Sequence, residues 1–228
     1  MEDLTINDLA ELLAGFELPE EPIAVCAEIP ARVIWDGDLV GKTTNKECNI
    51  DCIGGMVAWS FSDKKFRHFS THENFCRYIL SIDPTQRTYC ERIYQGQNQK
   101  LRLDIDSEES VITAESMRAI LSCICEVFIS MFGEYLLSEY VYVCDSSRAG
   151  KQSYHIIIDR YYVRDHTTAR KFAESVRDML VSENYNDAAE CIDMNIYKSV
   201  TGLRSAYNYK KDPNSVKKIP LGNYNYCS

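Results

Sequence analysis

The sequence predicts an α+β protein whose second half follows the order β-α-β-β-α-β. Two helical patterns, over 113–131 and 167–181, repeat apolar residues every three or four positions. Apolar or alternating runs typical of strands surround them, over 100–106, 139–144, 152–159 and 203–209. This is the order of the ferredoxin-like or RNA-recognition-like split unit, in which the first and third strands are neighbours at the sheet centre.

Local signals support the ends of these elements. Thr113 can cap the first helix, and Gly133 can end it. The polar stretch 145–150 is typical of a turn, and we expect it to join the second and third strands.

The first 98 residues predict a separate N-terminal α/β lobe. Its helical patterns and strand-like runs alternate along the chain, with helices over 5–16 and 70–80 and strands over 31–35, 55–61 and 87–94. The polar stretch 95–99 is typical of a connection. We therefore expect an N-terminal lobe over 1–98 and a second lobe over 99–228.

The composition is that of an intracellular globular protein. Of the 228 residues, 45% are hydrophobic and 26% are charged, which is ordinary for a chain with a buried core. No apolar run approaches the roughly 20 residues needed to span a bilayer, so we expect no membrane partner. The ten cysteines are scattered through apparent core segments. This usage indicates reduced thiols in a nuclear or cytoplasmic compartment.

The charge is negative overall but uneven. A net charge of −9 argues against a protein that coats nucleic acid nonspecifically. Between 198 and 218, however, the sequence contains six lysines and arginines and a single acid, Asp212. This basic segment indicates either a local polyanion site or a solvated loop.

Asp104 and Asp106 are the most informative pair in the sequence. They lie two apart in the run Leu-Arg-Leu-Asp-Ile-Asp, so both carboxylates point to one face of a predicted strand. Buried carboxylates without partners are costly, and a hard divalent ion is a common compensation. The alternative is an exposed strand end with two solvated acids.

Two further clusters favour the metal site. Lys151, Ser153 and His155 also alternate along a predicted strand, which the topology places beside the strand of the two acids. Cationic and hydrogen-bonding groups beside a metal suit a triphosphate, whereas the alternative is a solvated edge strand. Asp193 supplies a third carboxylate after the second helix, as a site with two divalent ions requires.

Arg204 and Lys210 follow Asp193 in the basic segment. Their spacing of six places both on one face of the last predicted strand.

In order and spacing, these residues resemble the three motifs of the archaeo-eukaryotic primase superfamily. The motifs are Asp104-x-Asp106, then Lys151-x-Ser153-x-His155, then Ile192-Asp193 with the downstream Arg204 and Lys210. The resemblance covers about 85–211 and is closest to the primase-polymerase and DNA-virus branches, which include poxvirus-type and small baculovirus-like primases. The chain departs from many relatives in having Asp-x-Asp for Asp-x-Glu and no recognisable zinc or helicase module.

The resemblance implies template-directed primer synthesis in viral or other DNA replication. The three acids would bind two Mg²⁺ or Mn²⁺ ions, and the lysine, serine and histidine of the second motif would contact the incoming triphosphate. Arg204 and Lys210 would neutralise further phosphate charge on the nucleotide or template. The lobe over 99–228 would be the catalytic lobe, and it would form one domain with the N-terminal lobe, with the active site between them. The implied partners are single-stranded DNA, nucleoside triphosphates and a helicase or accessory primase subunit. Two alternatives stay open: a noncatalytic nucleic-acid-binding accessory, and a metal-dependent nuclease.

Two other patterns carry less weight. The stretch 37–43 imitates a phosphate-binding P-loop but is one residue short of that motif. A zinc site is not favoured either, because the available cysteines and histidines match no standard zinc spacing. These residues are Cys48, Cys52, His68, His72 and Cys76.

Overall fold

The computed structural model describes residues 38–39, 56–69, 71–108, 112–210 and 216–221. The predicted helix over 5–16 and strand over 31–35 lie outside this part of the chain. Cys48, Cys52 and most of the stretch that imitates a P-loop lie outside it as well.

The structure is α+β, as predicted, with helices and two antiparallel sheets. The first sheet has the strand order β1-β3-β2-β4-β8. Its strands are β1 (Asp38–Leu39), β2 (Met56–Ser60), β3 (Phe66–Phe69), β4 (Tyr89–Tyr94) and β8 (Val200–Arg204). Helix α1 (His72–Ser81), capped by Thr71, packs through Phe75 and Ile79 on one face of this sheet.

The second sheet has the order β5-β7-β6-β9. Its strands are β5 (Gln99–Ser107), β6 (Val141–Asp145), β7 (Gln152–Val163) and β9 (Ile219–Leu221). The helices that pack with it are α2 (Ala114–Phe132), α3 (His166–Ser182) and the short α4 (Asn186–Glu190). Three single turns of 3-10 helix complete the described elements, at Pro84–Gln86, Ser138–Tyr140 and Met194–Ile196.

The main core lies between the second sheet and its helices. Leu101, Leu103 and Ile105 of β5 are buried there, with α2 and α3 contributing Phe128 and Phe172. Because side chains alternate along a strand, the intervening residues of β5 point to the opposite face of the sheet. That second face carries the polar residues of interest.

Both long helices end close to their predicted limits. The Thr113 side chain accepts a hydrogen bond from Ser116 N at the start of α2. Gly133 closes the same helix in the left-handed conformation, with φ of 73°. A non-glycine residue is strained in that conformation, which explains why the sequence signal is clear.

One element of the predicted unit is placed differently. The first and third strands, β5 and β7, are neighbours as predicted, but β5 lies at the sheet edge rather than its centre. The strand expected over 203–209 is β8, which ends at Arg204 and pairs antiparallel with β4 of the first sheet. An alternating pattern identifies a strand but not its partner, so the sequence could not assign β8 to a sheet.

Within the described residues, no helix is both long enough and apolar enough to cross a membrane. The six described cysteines are free thiols.

Candidate functional site

The acids of β5 lie on the face of the second sheet that points away from α2 and α3. In the antiparallel register, Asp104 is opposite His155 of β7 and Asp106 is opposite Ser153. Directly opposed residues share a face, so the first two predicted clusters meet across one strand pair.

The contacts follow this register. His155 Nε2 lies 3.2 Å from Asp104 Oδ1. Lys151 Nζ lies 3.1 Å from Asp106 Oδ2 and 2.9 Å from Glu108 Oε1, so it bridges two carboxylates. Ser153 is buried, and its hydroxyl accepts a hydrogen bond from Ser146 Oγ at 3.1 Å.

Asp193 is brought to the same strand by backbone hydrogen bonds. Its amide donates to Asp104 O at 2.8 Å, and Asp106 N donates to Cys191 O at 2.9 Å. Between these bonds, Ile192 forms an antiparallel bridge with Ile105. The segment 191–193 therefore lies along the edge of β5. This brings Asp193, from a distant part of the chain, beside Asp104 and Asp106.

The Asp193 carboxylate has a local role as well. Its Oδ1 accepts from Asn195 N at 2.8 Å and from Asn195 Nδ2 at 2.9 Å. These bonds cap the 3-10 turn Met194–Ile196. The bond to Asp104 O holds the backbone of Asp193 beside β5, and the cap orients its side chain.

Burial and neighbouring acids disfavour ionisation of Asp104. Burial is the largest cause, followed by the charge of Asp106, and together they raise the pKa of Asp104 to about 7. Asp193 raises this pKa further, whereas Lys218 and Arg204 lower it. Among the described residues, the buried Oδ1 atoms of Asp104 and Asp106 have no hydrogen-bond partner. The distance from His155 is short, but its geometry is not that of a hydrogen bond.

Arg204 reaches this face from β8 of the first sheet. Its Nη1 donates to Val216 O at 2.8 Å, and burial lowers its pKa. Its charge acts on Asp104 and Asp106, as expected for a cation beside the acids.

Lys210 requires a correction. The argument that it shares a strand face with Arg204 is wrong, because β8 ends at Arg204 and a turn follows. Lys210 is exposed, after the bridge between Tyr209 and Lys217. Its contact with phosphate stays a prediction that rests on the resemblance alone.

Lys218 is the residue that sequence reasoning missed. Lys218 belongs to the basic segment, and the sequence pattern assigns it no role, yet it is only 1% exposed. Its Nζ lies 2.5 Å from both His155 Nδ1 and Arg204 O. The available signal was the Ile-Pro-Leu run directly after it, because proline is typical of an edge strand, and this run forms β9.

The chemistry of the acids fits a hard divalent cation, but the side chains are not arranged as a finished metal site. Within the part of the chain that the structure describes, no three His, Cys, Asp or Glu side chains form a metal-binding group. The fit rests on the two unpartnered carboxylate oxygens and on the adjacent backbone of Asp193. The bonds to Asn195 use Oδ1 of Asp193, so Oδ2 is the oxygen through which Asp193 would join an ion.

Of the residues that zinc could use, the described ones lie at the first sheet. His72 Nε2 lies 2.8 Å from Glu91 Oε1, and that contact raises the pKa of His72. His68 lies on β3 and Cys76 on α1, both at the first sheet.

In comparisons with known proteins, the sequence matches no protein-family model, and it matches no curated protein at a significant level.

Proposed function

We propose that this chain is a DNA primase or primase-polymerase of the archaeo-eukaryotic type. It would join nucleoside triphosphates on a single-stranded DNA template. The observation that carries the proposal is the backbone bond from Asp193 to Asp104, combined with the pairing of Asp104 and His155. It supports convergence of the three sequence motifs on one sheet face.

In this proposal, Asp104, Asp106 and Asp193 would hold two Mg²⁺ or Mn²⁺ ions, which would supply activation of a 3′-hydroxyl and stabilisation of a leaving pyrophosphate. The acids are suited to this because each contributes anionic oxygens to one face. Burial and Asp106 raise the pKa of Asp104 to about 7, and a cation bound at this face would favour its ionised form.

The remaining residues of the site would bind the triphosphate. Lys151 now bridges Asp106 and Glu108, and it would donate to a phosphate once those acids have other partners. His155 is neutral because burial holds its pKa well below the usual value, so it would bind as a hydrogen-bond donor rather than a charge. Arg204 would add fixed positive charge from the other sheet.

The direct test is incubation with single-stranded DNA, labelled nucleotides and Mn²⁺. Wild-type protein should make primers. Asp193→Asn should abolish synthesis but preserve the fold, because asparagine also caps helices and only the negative charge is lost. Asp178→Asn, at an exposed position of α3, is the matched control and should retain full activity.

Other products would contradict the proposal. A shortened template would indicate a nuclease, and a gel shift without synthesis would indicate a noncatalytic binding protein. Full activity of the Asp193→Asn variant would remove Asp193 from the site.

A further inference from the structure

Lys218 connects the two sheets at the candidate site. It directly precedes β9 of the second sheet, whereas its Nζ contacts the carbonyl oxygen of Arg204 on β8 of the first sheet. Two backbone hydrogen bonds also join Lys218 to the segment that follows β8. Tyr207 N donates to Lys218 O at 2.7 Å, and Lys218 N donates to Asn208 O at 3.1 Å.

A buried lysine needs a reason, because removal of an ammonium group from water is costly. Here the Nζ has two contacts at 2.5 Å, to a carbonyl oxygen and to His155 Nδ1. An ammonium group carries donors only, so both contacted atoms must be acceptors. The carbonyl oxygen is always an acceptor. The Nδ1 atom is an acceptor only in the tautomer that carries its proton on Nε2.

The other side of the imidazole agrees with this assignment. His155 Nε2 faces Asp104 Oδ1 at 3.2 Å, and that oxygen belongs to a carboxyl group that can accept a proton. A proton on Nε2 would therefore point toward the face of the acids without a formed hydrogen bond to Asp104, whereas a proton on Nδ1 would point at the ammonium.

We propose that Lys218 is a positioning residue that fixes His155 in the Nε2–H tautomer and directs this donor to the face of the three acids. The proposal rests on the proposed function in its consequence for the triphosphate, because His155 would then offer a hydrogen bond to a phosphate oxygen. Lys218 itself acts only through the histidine.

The tautomer can be observed without any enzymatic assay. In protein labelled with ¹⁵N-histidine, long-range proton–nitrogen spectra at pH 7 distinguish a protonated from an unprotonated ring nitrogen. The chain has four histidines, and His155→Gln identifies the signals of this one by their loss. The wild type should show Nδ1 unprotonated and Nε2 protonated.

Lys218→Met should convert the ring to a mixture of tautomers, whereas Lys171→Met, an exposed lysine of α3, should leave the spectrum unchanged. In the primer assay, Lys218→Met should weaken nucleotide use by about ten- to a hundredfold, as loss of a partner that orients a site histidine typically does. A shifted tautomer in a protein that makes no primers would support the positioning role and reject only the polymerase.

The wild-type spectrum is decisive even if Lys218→Met does not fold. A proton on Nδ1 of His155 in the wild type would overturn the proposal. An unchanged tautomer in a folded Lys218→Met variant would overturn it as well.

Discussion

Asp104 is a carboxyl group held where its charge is disfavoured. Its neighbours on the same face include Asp106 and Asp193, and its Oδ1 is buried without a hydrogen-bond partner among the described residues. Burial of a group in this state costs stability. Under the proposed function, a bound divalent ion would supply the missing partner and offset this cost.

This environment predicts a pH-dependent stability. The folded-state pKa of Asp104 is raised from 3.8 to about 7, so the unfolded chain loses this proton at lower pH than the folded protein. The free energy of unfolding should therefore fall as pH rises from 4 to 7. Asp104→Asn cannot ionise, and at pH 8 without divalent ions it should be about 2–4 kcal/mol more stable than the wild type.

Urea unfolding at pH 4 and pH 8 checks this expectation. The difference between the two proteins should nearly vanish at pH 4, where Asp104 is protonated in the folded state. Asp178→Asn is the control, since its exposed carboxyl group should leave the difference between pH 4 and pH 8 unchanged. Parallel pH profiles for wild type and Asp104→Asn would refute the assigned environment.

At the scale of elements, the segment 191–193 is the feature that makes the site. Ile192 is buried in the main core and forms a bridge with Ile105, and this contact fixes Asp193 beside β5. From the sequence alone, Ile192 is recognisable only as an apolar residue before an acid. The anchor is therefore tertiary, and its loss should displace Asp193.

Ile192→Ala should lower the free energy of unfolding by about 2–4 kcal/mol, because it leaves a cavity in the core. It should also reduce the stabilisation that Mn²⁺ gives to the folded protein, since Asp193 loses its anchor. Thermal unfolding with and without Mn²⁺ measures both effects. Val181→Ala, at an exposed position of α3, should change stability by less than about 0.5 kcal/mol. Equal Mn²⁺ stabilisation in Ile192→Ala and wild type would count against the anchor.

The sequence predicted the local elements better than their assembly. Helix α2 was foreseen because a threonine cap, an apolar stripe and a terminal glycine agree. Strand β7 was predicted to stop at Asp159, yet it continues to Val163. The pairing of β8 with β4 depends on contacts between distant residues, which a local pattern does not encode.

The same limit applies to the site. Asp104 and Asp106 could be placed on one face from their spacing, and the adjacency of β5 and β7 followed from the predicted topology. The burial of Lys218 could not be foreseen, because a lysine in a basic segment is usually solvated. Its position results from β9 pairing with β6.

At the scale of the whole molecule, the net charge predicts how strongly the isolated chain would bind single-stranded DNA. The net charge is −9, and several cations near the site are already engaged, with Lys151 on two carboxylates and Lys218 on His155. Because affinity for DNA depends on free cations that displace counterions, the isolated chain should bind single-stranded DNA weakly. A gel shift should be poor near about 150 mM salt and improve at low salt. Tight binding at the higher salt would contradict this expectation.

Under the proposed function, Asp104, Asp106 and Asp193 share divalent ions on one face of the second sheet. Anomalous diffraction from crystals soaked with Mn²⁺ and a nucleoside triphosphate tests it most directly. Anomalous peaks should lie about 2 Å from a carboxylate oxygen of each of the three acids. Peaks elsewhere, or an Asp193 carboxylate that contacts no ion beside a bound nucleotide, would contradict the proposed site.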